Sequence, residues 1–130
     1  MEGETINMPE KNEPSEAQEQ MALITWAEYN RGQHPELKLL HHIPNGGMRG
    51  KAEAGRFKAM GVKPGVPDLF LPVARGKYHG LYIELKRQKT GKASAAQRGW
   101  FEALQEQGYA VVLCHGWVQA SEKLVEYLNL

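Results

Sequence analysis

The first regular pattern in the chain begins after Ser15. Ala17, Met21, Ile24 and the run Trp26 to Tyr29 recur at helical spacing, and Ser15 is a residue type whose side-chain oxygen caps a helix. A helix is expected up to Arg31-Gly32. Leu37 to Ile43 reads as a short strand, closed by the turn residues Pro44, Asn45, Gly46 and Gly47. A basic helical stretch follows from Arg49 to Met60, with Gly61 as its stop. GVKPGVPDLFLPV then holds a brief apolar run fenced by Gly65, Pro67 and Pro72, and LYIELKR repeats the strand signature after the turn RGKYHG. The two are close enough in sequence to pair as an antiparallel hairpin. Ser94 caps a helix that carries Ala96, Trp100, Ala103 and Leu104 on its apolar stripe and stops at Gly108. Tyr109 to Cys114 is a third buried strand. Trp117 to Leu128 is an amphipathic helix with Leu124, Val125 and Leu128 inward. The order α-β-α-β-β-α-β-α predicts an α/β domain, a mixed sheet flanked by helices on both faces.

The segment in front of this pattern, MEGETINMPEKNEP, is polar, acidic and carries two prolines. It is expected to form a disordered acidic arm over residues 1–14, leaving 15–130 as one folded domain. A single cysteine, Cys114, cannot form an intrachain bridge, and no apolar run is long enough to span a bilayer. A cytoplasmic protein with no membrane partner is expected.

The formal net charge of +1 hides an uneven distribution. Residues 1–20 hold six acids against one base, whereas residues 49–98 hold twelve bases against three acids, a net of +9. Such a stretch suits a polyanion, and nucleic acid is the commonest one. Arg49, Lys51, Arg56 and Lys58 put cations on overlapping sides of one helix, and Lys89 adds another in the loop after LYIELKR. These residues and the Asn45 turn, with His42 beside it, are the candidate DNA contacts; the bland alternative is a solvated basic face. The spacing of the histidines fits no common structural zinc motif.

Three charged positions break the apolar pattern of the strands: Asp68 directly after Pro67, and Glu84 and Lys86 within LYIELKR. Alternation puts Glu84 and Lys86 on one face, and antiparallel pairing brings Asp68 beside them. Two carboxylates and an ammonium at one sheet end are suited to holding Mg²⁺ or Mn²⁺ next to a phosphate, with Leu85 as a candidate carbonyl ligand. The cation polarises a scissile phosphate and lowers the pKa of a bound water, and Lys86 orients that water or stabilises the added charge. The alternative is a structural ion-pair cluster.

The elements G-V-P-D (Gly65 to Asp68) and E-L-K (Glu84 to Lys86) resemble the PD-(D/E)XK nuclease signature. More narrowly, the chain resembles stand-alone VRR-NUC proteins of the phage type. The likeness extends through E-x-x-E-Q in the first helix, I-P-N-G-G-x-R (Ile43 to Arg49), K-x-x-G-V-K-P-G-V-P-D-L-F and S-x-x-Q-x-x-W before the third strand, about residues 15–128 in all. The resemblance implies a restriction-endonuclease-like fold and metal-dependent endonucleolytic hydrolysis of DNA, with branched DNA such as Holliday junctions as substrate. It implies catalytic roles for Asp68, Glu84 and Lys86, and a place at the active site for Gln97. It also implies that a first-helix residue completes the metal site. The candidates are Glu16, Glu19 and Gln20, with Gln20 and Glu16 preferred because they share a helical face. A homodimer is implied as well, and Trp26, Tyr29, Trp117, Tyr127 and Leu130 supply apolar material for its interface. A bacterial host or phage-infected cell is the expected setting. The rival from another class is a non-cleaving DNA clamp or partner-recruiting module on the same fold.

Overall fold

Leu81–Lys86 is the strand from which the molecule is built, flanked on one side by Leu69–Leu71 and on the other by Ala110–His115. The computed structural model describes residues 13–44 and 50–130. In chain order the elements are α1 (Glu16–Tyr29), a 3-10 helix (Pro35–Leu39), β1 (His41–His42), α2 (Lys51–Ala59), β2 (Leu69–Leu71), β3 (Leu81–Lys86), α3 (Ala95–Glu106), β4 (Ala110–His115) and α4 (Trp117–Leu128). The sheet order is β1-β2-β3-β4; the first two pairings are antiparallel and β3 runs parallel to β4. The predicted α/β fold class and the hairpin are both present. No helix among the described residues is long and apolar enough to cross a membrane.

Alternation along β3 divides the two faces. Leu81, Ile83 and Leu85 are buried with Leu23 and Ala27 of α1 and Ala120 and Leu124 of α4 in one apolar core. Each such buried leucine contributes roughly 1.5–3 kcal/mol, and Cys114 lies in this core as a free thiol whose pKa burial raises to about 11. Tyr82, Glu84 and Lys86 point the other way, toward the face on which α3 lies.

Three expectations need correction. The strand expected over Leu37 to Ile43 is a 3-10 helix followed by a two-residue strand. Pro35 starts that helix, and Leu37 and Leu40, three apart, both turn inward, which is helical spacing rather than alternation. Glu13 and Pro14, expected in the arm, are instead held at the exit of β3: Arg87 donates to both carbonyls at 2.8 and 3.1 Å, and the Lys89 N–H donates to the Glu13 carboxylate at 2.7 Å. Residues 1–12 of the expected arm lie outside the described residues. Of the apolar residues assigned to a dimer interface, Trp26 and Trp117 pack against the core, and Tyr127 is buried with its hydroxyl donating to the Val73 carbonyl at 2.6 Å. Tyr29 and Leu130 are exposed.

Candidate active site

The β2–β3 register pairs Leu69 with Ile83, so one step further along the ladder Asp68 faces Glu84. Gly65 allows the approach to this point. Its φ is +93°, and a Cβ there would meet the Ala96 backbone of α3 at 2.8 Å, so the G-V-P-D turn packs directly on the first turn of α3. Pro67 is fully buried behind it. Asp68 then extends the ladder with its side chain: its Oδ2 accepts the Leu85 N–H at 2.8 Å. Its backbone carbonyl accepts the Ile43 N–H at 2.7 Å and lies 2.8 Å from His42 Nδ1. Because a strand residue presents its N–H and C=O to the same side, the Leu85 carbonyl also looks toward Asp68.

Glu84 is 2% exposed. Its Oε2 accepts from Gln97 Nε2 at 2.9 Å and lies 3.5 Å from Lys86 Nζ, while its Oε1 is buried with no hydrogen-bond partner. Burial, and then the Asp68 charge, push the Glu84 carboxyl up to about 8 against the opposing pull of Lys86. Gln97 is the organiser of this face. It is the third helical residue of α3, and its Oε1 takes the Ser94 N–H at 2.9 Å in a capping box and the Lys86 ammonium at 3.1 Å. One glutamine thus fixes both the acid and the cation.

The structure therefore brings together four of the residues picked from the sequence: Asp68, Glu84, Lys86 and Gln97. The first-helix candidates Glu16, Glu19 and Gln20 differ in burial. Glu16 is exposed, and Gln20 is half-buried with no hydrogen bond to Asp68 or Glu84. Glu19 is the acid that turns inward, 1% exposed, on the stripe it shares with Leu23 and Ala27. Its Oε1 accepts the Trp117 N–H at 2.9 Å and its Oε2 is buried without a partner. Gly116, the residue before α4, has φ +89° and supplies no side-chain cap, so Glu19 caps α4 from across the core. Among the described residues no group of three or more His, Cys, Asp or Glu side chains converges as a metal cage. The donor set at this end of the sheet is two carboxylates, Asp68 and Glu84, and the Leu85 carbonyl.

Lys51, Arg56 and Lys58 are exposed on α2, which buries none of its residues. The segment carrying α2 leaves β1 at Ile43 and returns at Asp68, which are hydrogen-bonded to each other, so its basic surface is tethered at the carboxylate end of the sheet. Asn45 and Arg49 lie outside the described residues. Lys89 is exposed in the loop after β3, its backbone held by Glu13. Sequence reasoning missed the clasp between Arg87 and Glu13–Pro14, which sits beside Lys86; no periodic signal marks a contact across so long a separation.

The family model for the VRR-NUC domain matches residues 9–117. This chain belongs to the VRR-NUC domain family. A solved structure described as a "VRR_NUC domain protein" is similar at 32% identity and a TM-score of 0.78, with 91% of each chain covered. No match was found among curated proteins. Membership in this family carries a nuclease-like role with DNA as substrate, and the Asp68–Glu84–Lys86–Gln97 cluster lies within the matched residues.

Proposed function

We propose that this VRR-NUC protein is a Mg²⁺- or Mn²⁺-dependent endodeoxyribonuclease of PD-(D/E)XK type, acting on branched DNA such as four-way junctions. The observation that carries the reading is the buried, partnerless Oε1 of Glu84 opposite Asp68. A carboxylate oxygen in that position is costly unless a cation or a proton satisfies it. The donors suit a hard divalent ion: Asp68, Glu84 and the Leu85 carbonyl would hold it, and Mg²⁺ completes its coordination with water. When bound, the ion supplies polarisation of the phosphate and acidification of water. Glu19 joins the proposal only as the support of α4.

The protein's own groups account for the remaining steps. Asp68 is held by the Leu85 N–H with its carboxylate turned to Glu84. Gln97 occupies Glu84 Oε2 and leaves Oε1 available. Lys86, steered by the same glutamine, places an ammonium where negative charge grows as water adds to phosphorus and the P–O bond to the leaving strand breaks. The basic α2 holds the duplex backbone near this end of the sheet.

A homodimer is part of the proposal, because symmetric cleavage of a junction needs two sites related by a two-fold axis. Edge strand β4 supports it. Ala110 to Cys114 carries no charged residue, and the backbone groups of Val111 and Leu113 point away from β3. Light scattering should give twice the chain mass at micromolar concentration, and a monomer mass throughout would remove the dimer.

The direct test is a labelled panel of linear, flap and four-way DNA incubated with Mg²⁺, Mn²⁺ or EDTA. Cleavage in the metal arms, with junctions preferred, is expected. Binding without cleavage of any DNA would favour the clamp, and preferred cutting of flaps would remove the junction assignment alone.

A further inference from the structure

The sheet face that carries Asp68, Glu84 and Lys86 also carries a row of aromatic rings, one layer along the same strands. Phe70 lies two residues beyond Asp68, and Tyr82 two residues before Glu84. They are direct partners across the ladder, and their rings stack at 4.2 Å with 17° between planes. His41 of β1, the register partner of Phe70, extends the row on one side with an edge contact at 5.8 Å. Tyr109, just before β4, meets Tyr82 at 5.4 Å and Phe70 at 5.9 Å, and His79 meets Tyr109 at 5.8 Å. Five rings thus cross the sheet in continuous contact, about 7 Å along the strands from the carboxylate pair.

This row is not the core. The apolar core lies on the opposite face; Phe70, Tyr82 and Tyr109 are only partly buried, and His41 and His79 at its two ends are exposed. Among the described residues α3 packs on this face over β4 and reaches β3 through Gln97, at Glu84 and Lys86. Val111 of β4, the register partner of Tyr82, borders the row on the same face, and Phe70, His79 and Tyr82 belong to the stretch of residues 49–98 whose net charge is +9.

We propose that these rings form a stacking platform for an unpaired nucleobase adjacent to the phosphate at Asp68 and Glu84. The substrate is therefore DNA that offers unpaired nucleotides beside the incision. The proposal rests on the nuclease reading for its geometry. Three features favour a base as occupant: continuity with the carboxylate pair on the same two strands, the net positive charge of the chain segment that carries Phe70 and Tyr82, and a polar rim of histidines and tyrosines. In a duplex both faces of every base are covered by its neighbours, so a base can lie on a protein ring only at an end, gap, bulge or branch where it has left the stack. Stacking on rings needs no particular base, so selection by this surface is for DNA structure rather than sequence.

The test compares wild-type protein with Tyr82→Leu/Tyr109→Leu, substitutions that keep apolar volume and remove ring faces. Binding is measured in EDTA with two probes, a single-stranded oligothymidine and a fully paired duplex. The wild-type preference for oligothymidine relative to duplex should fall by about tenfold in the variant, on the scale of losing one stacked base. An unchanged ratio would overturn the platform. So would a wild-type dimer that becomes monomeric in the variant, since the rings would then be buried between copies. Should the double variant fail to fold by circular dichroism, Tyr82→Trp is measured instead. Its larger ring should raise the ratio, and a lower or equal ratio would overturn the proposal. Because binding is read without metal, absence of cleavage would defeat the nuclease reading and leave this result standing, and the reverse holds equally.

Discussion

Asp68 and Glu84 face each other one step beyond the Leu69–Ile83 pair of the β2–β3 ladder, and one oxygen of Glu84 is buried there without a partner. Two carboxylates brought together in a half-dry site repel, and the repulsion is relieved by a proton or by a cation.

That relation sets the pH dependence of the metal-free protein. The folded-state pKa of Glu84 is raised from 4.5 to about 8, so between those values the folded state holds a proton that the unfolded state has lost. Stability therefore falls as pH rises through this window and levels off above it, by a total on the order of a few kcal/mol. Urea melts of the EDTA-treated protein from pH 5 to 9 should show this fall, and Glu84→Gln should largely flatten it. A wild-type stability that rises across the same window would contradict the assignment of the proton to this pair.

Metal should act in the opposite sense. A divalent cation competes with the proton for the same oxygens, so Mg²⁺ should raise the melting temperature more at pH 8 than at pH 6. The increment should be lost in Asp68→Ala. A shift equal at both pH values, or one surviving that substitution, would place the ion elsewhere.

Glu19→Ala should destabilise the fold by about 1–2 kcal/mol, the scale of losing a helix cap. Glu19→Gln retains an acceptor for the Trp117 N–H and should recover most of that loss. Glu16→Ala, at an exposed position, should change stability by less than about 0.5 kcal/mol. Chemical denaturation of the three variants checks the ranking, and an equal loss in Glu19→Ala and Glu16→Ala would refute the cap.

The difference between these two glutamates shows what the sequence conceals. Ala17, Met21 and Ile24 suggest one inward stripe for α1, but the stripe that is buried runs through Glu19, Leu23 and Ala27, and Met21 is 61% exposed. A glutamate on the inward stripe breaks the hydrophobic period, so the period points to the wrong face. Gln97 was named from the sequence only through the family resemblance, although a local signal for it was there. Ser94 and Gln97 form a local capping box, and a local motif fixes the start of α3 and with it the direction of the glutamine. The strand positions of Glu84 and Lys86 were legible, because two charges interrupt the otherwise apolar strand LYIELK. Pairings over long separations, such as Glu13 with Arg87 and Glu19 with Trp117, leave no periodic trace.

Replacing Lys51 and Arg56 of α2 by alanine should weaken binding to every DNA sequence alike. If both contact phosphates, the slope of log affinity against log salt should flatten by about two units. Titrations at several salt concentrations in EDTA measure it, and an unchanged slope would make these residues an ordinary solvated face.

Cleavage at the carboxylate pair is tested most directly by single-turnover incubation of a labelled four-way junction with Mg²⁺ and wild-type protein, Asp68→Ala, Glu84→Ala or Lys86→Ala. The wild-type protein should cut. The two carboxylate variants should bind the junction with near wild-type affinity and leave it intact, and Lys86→Ala should cut at least about a hundredfold more slowly. Cleavage by Asp68→Ala or Glu84→Ala at a rate close to wild type would contradict the assignment of this pair as the catalytic centre.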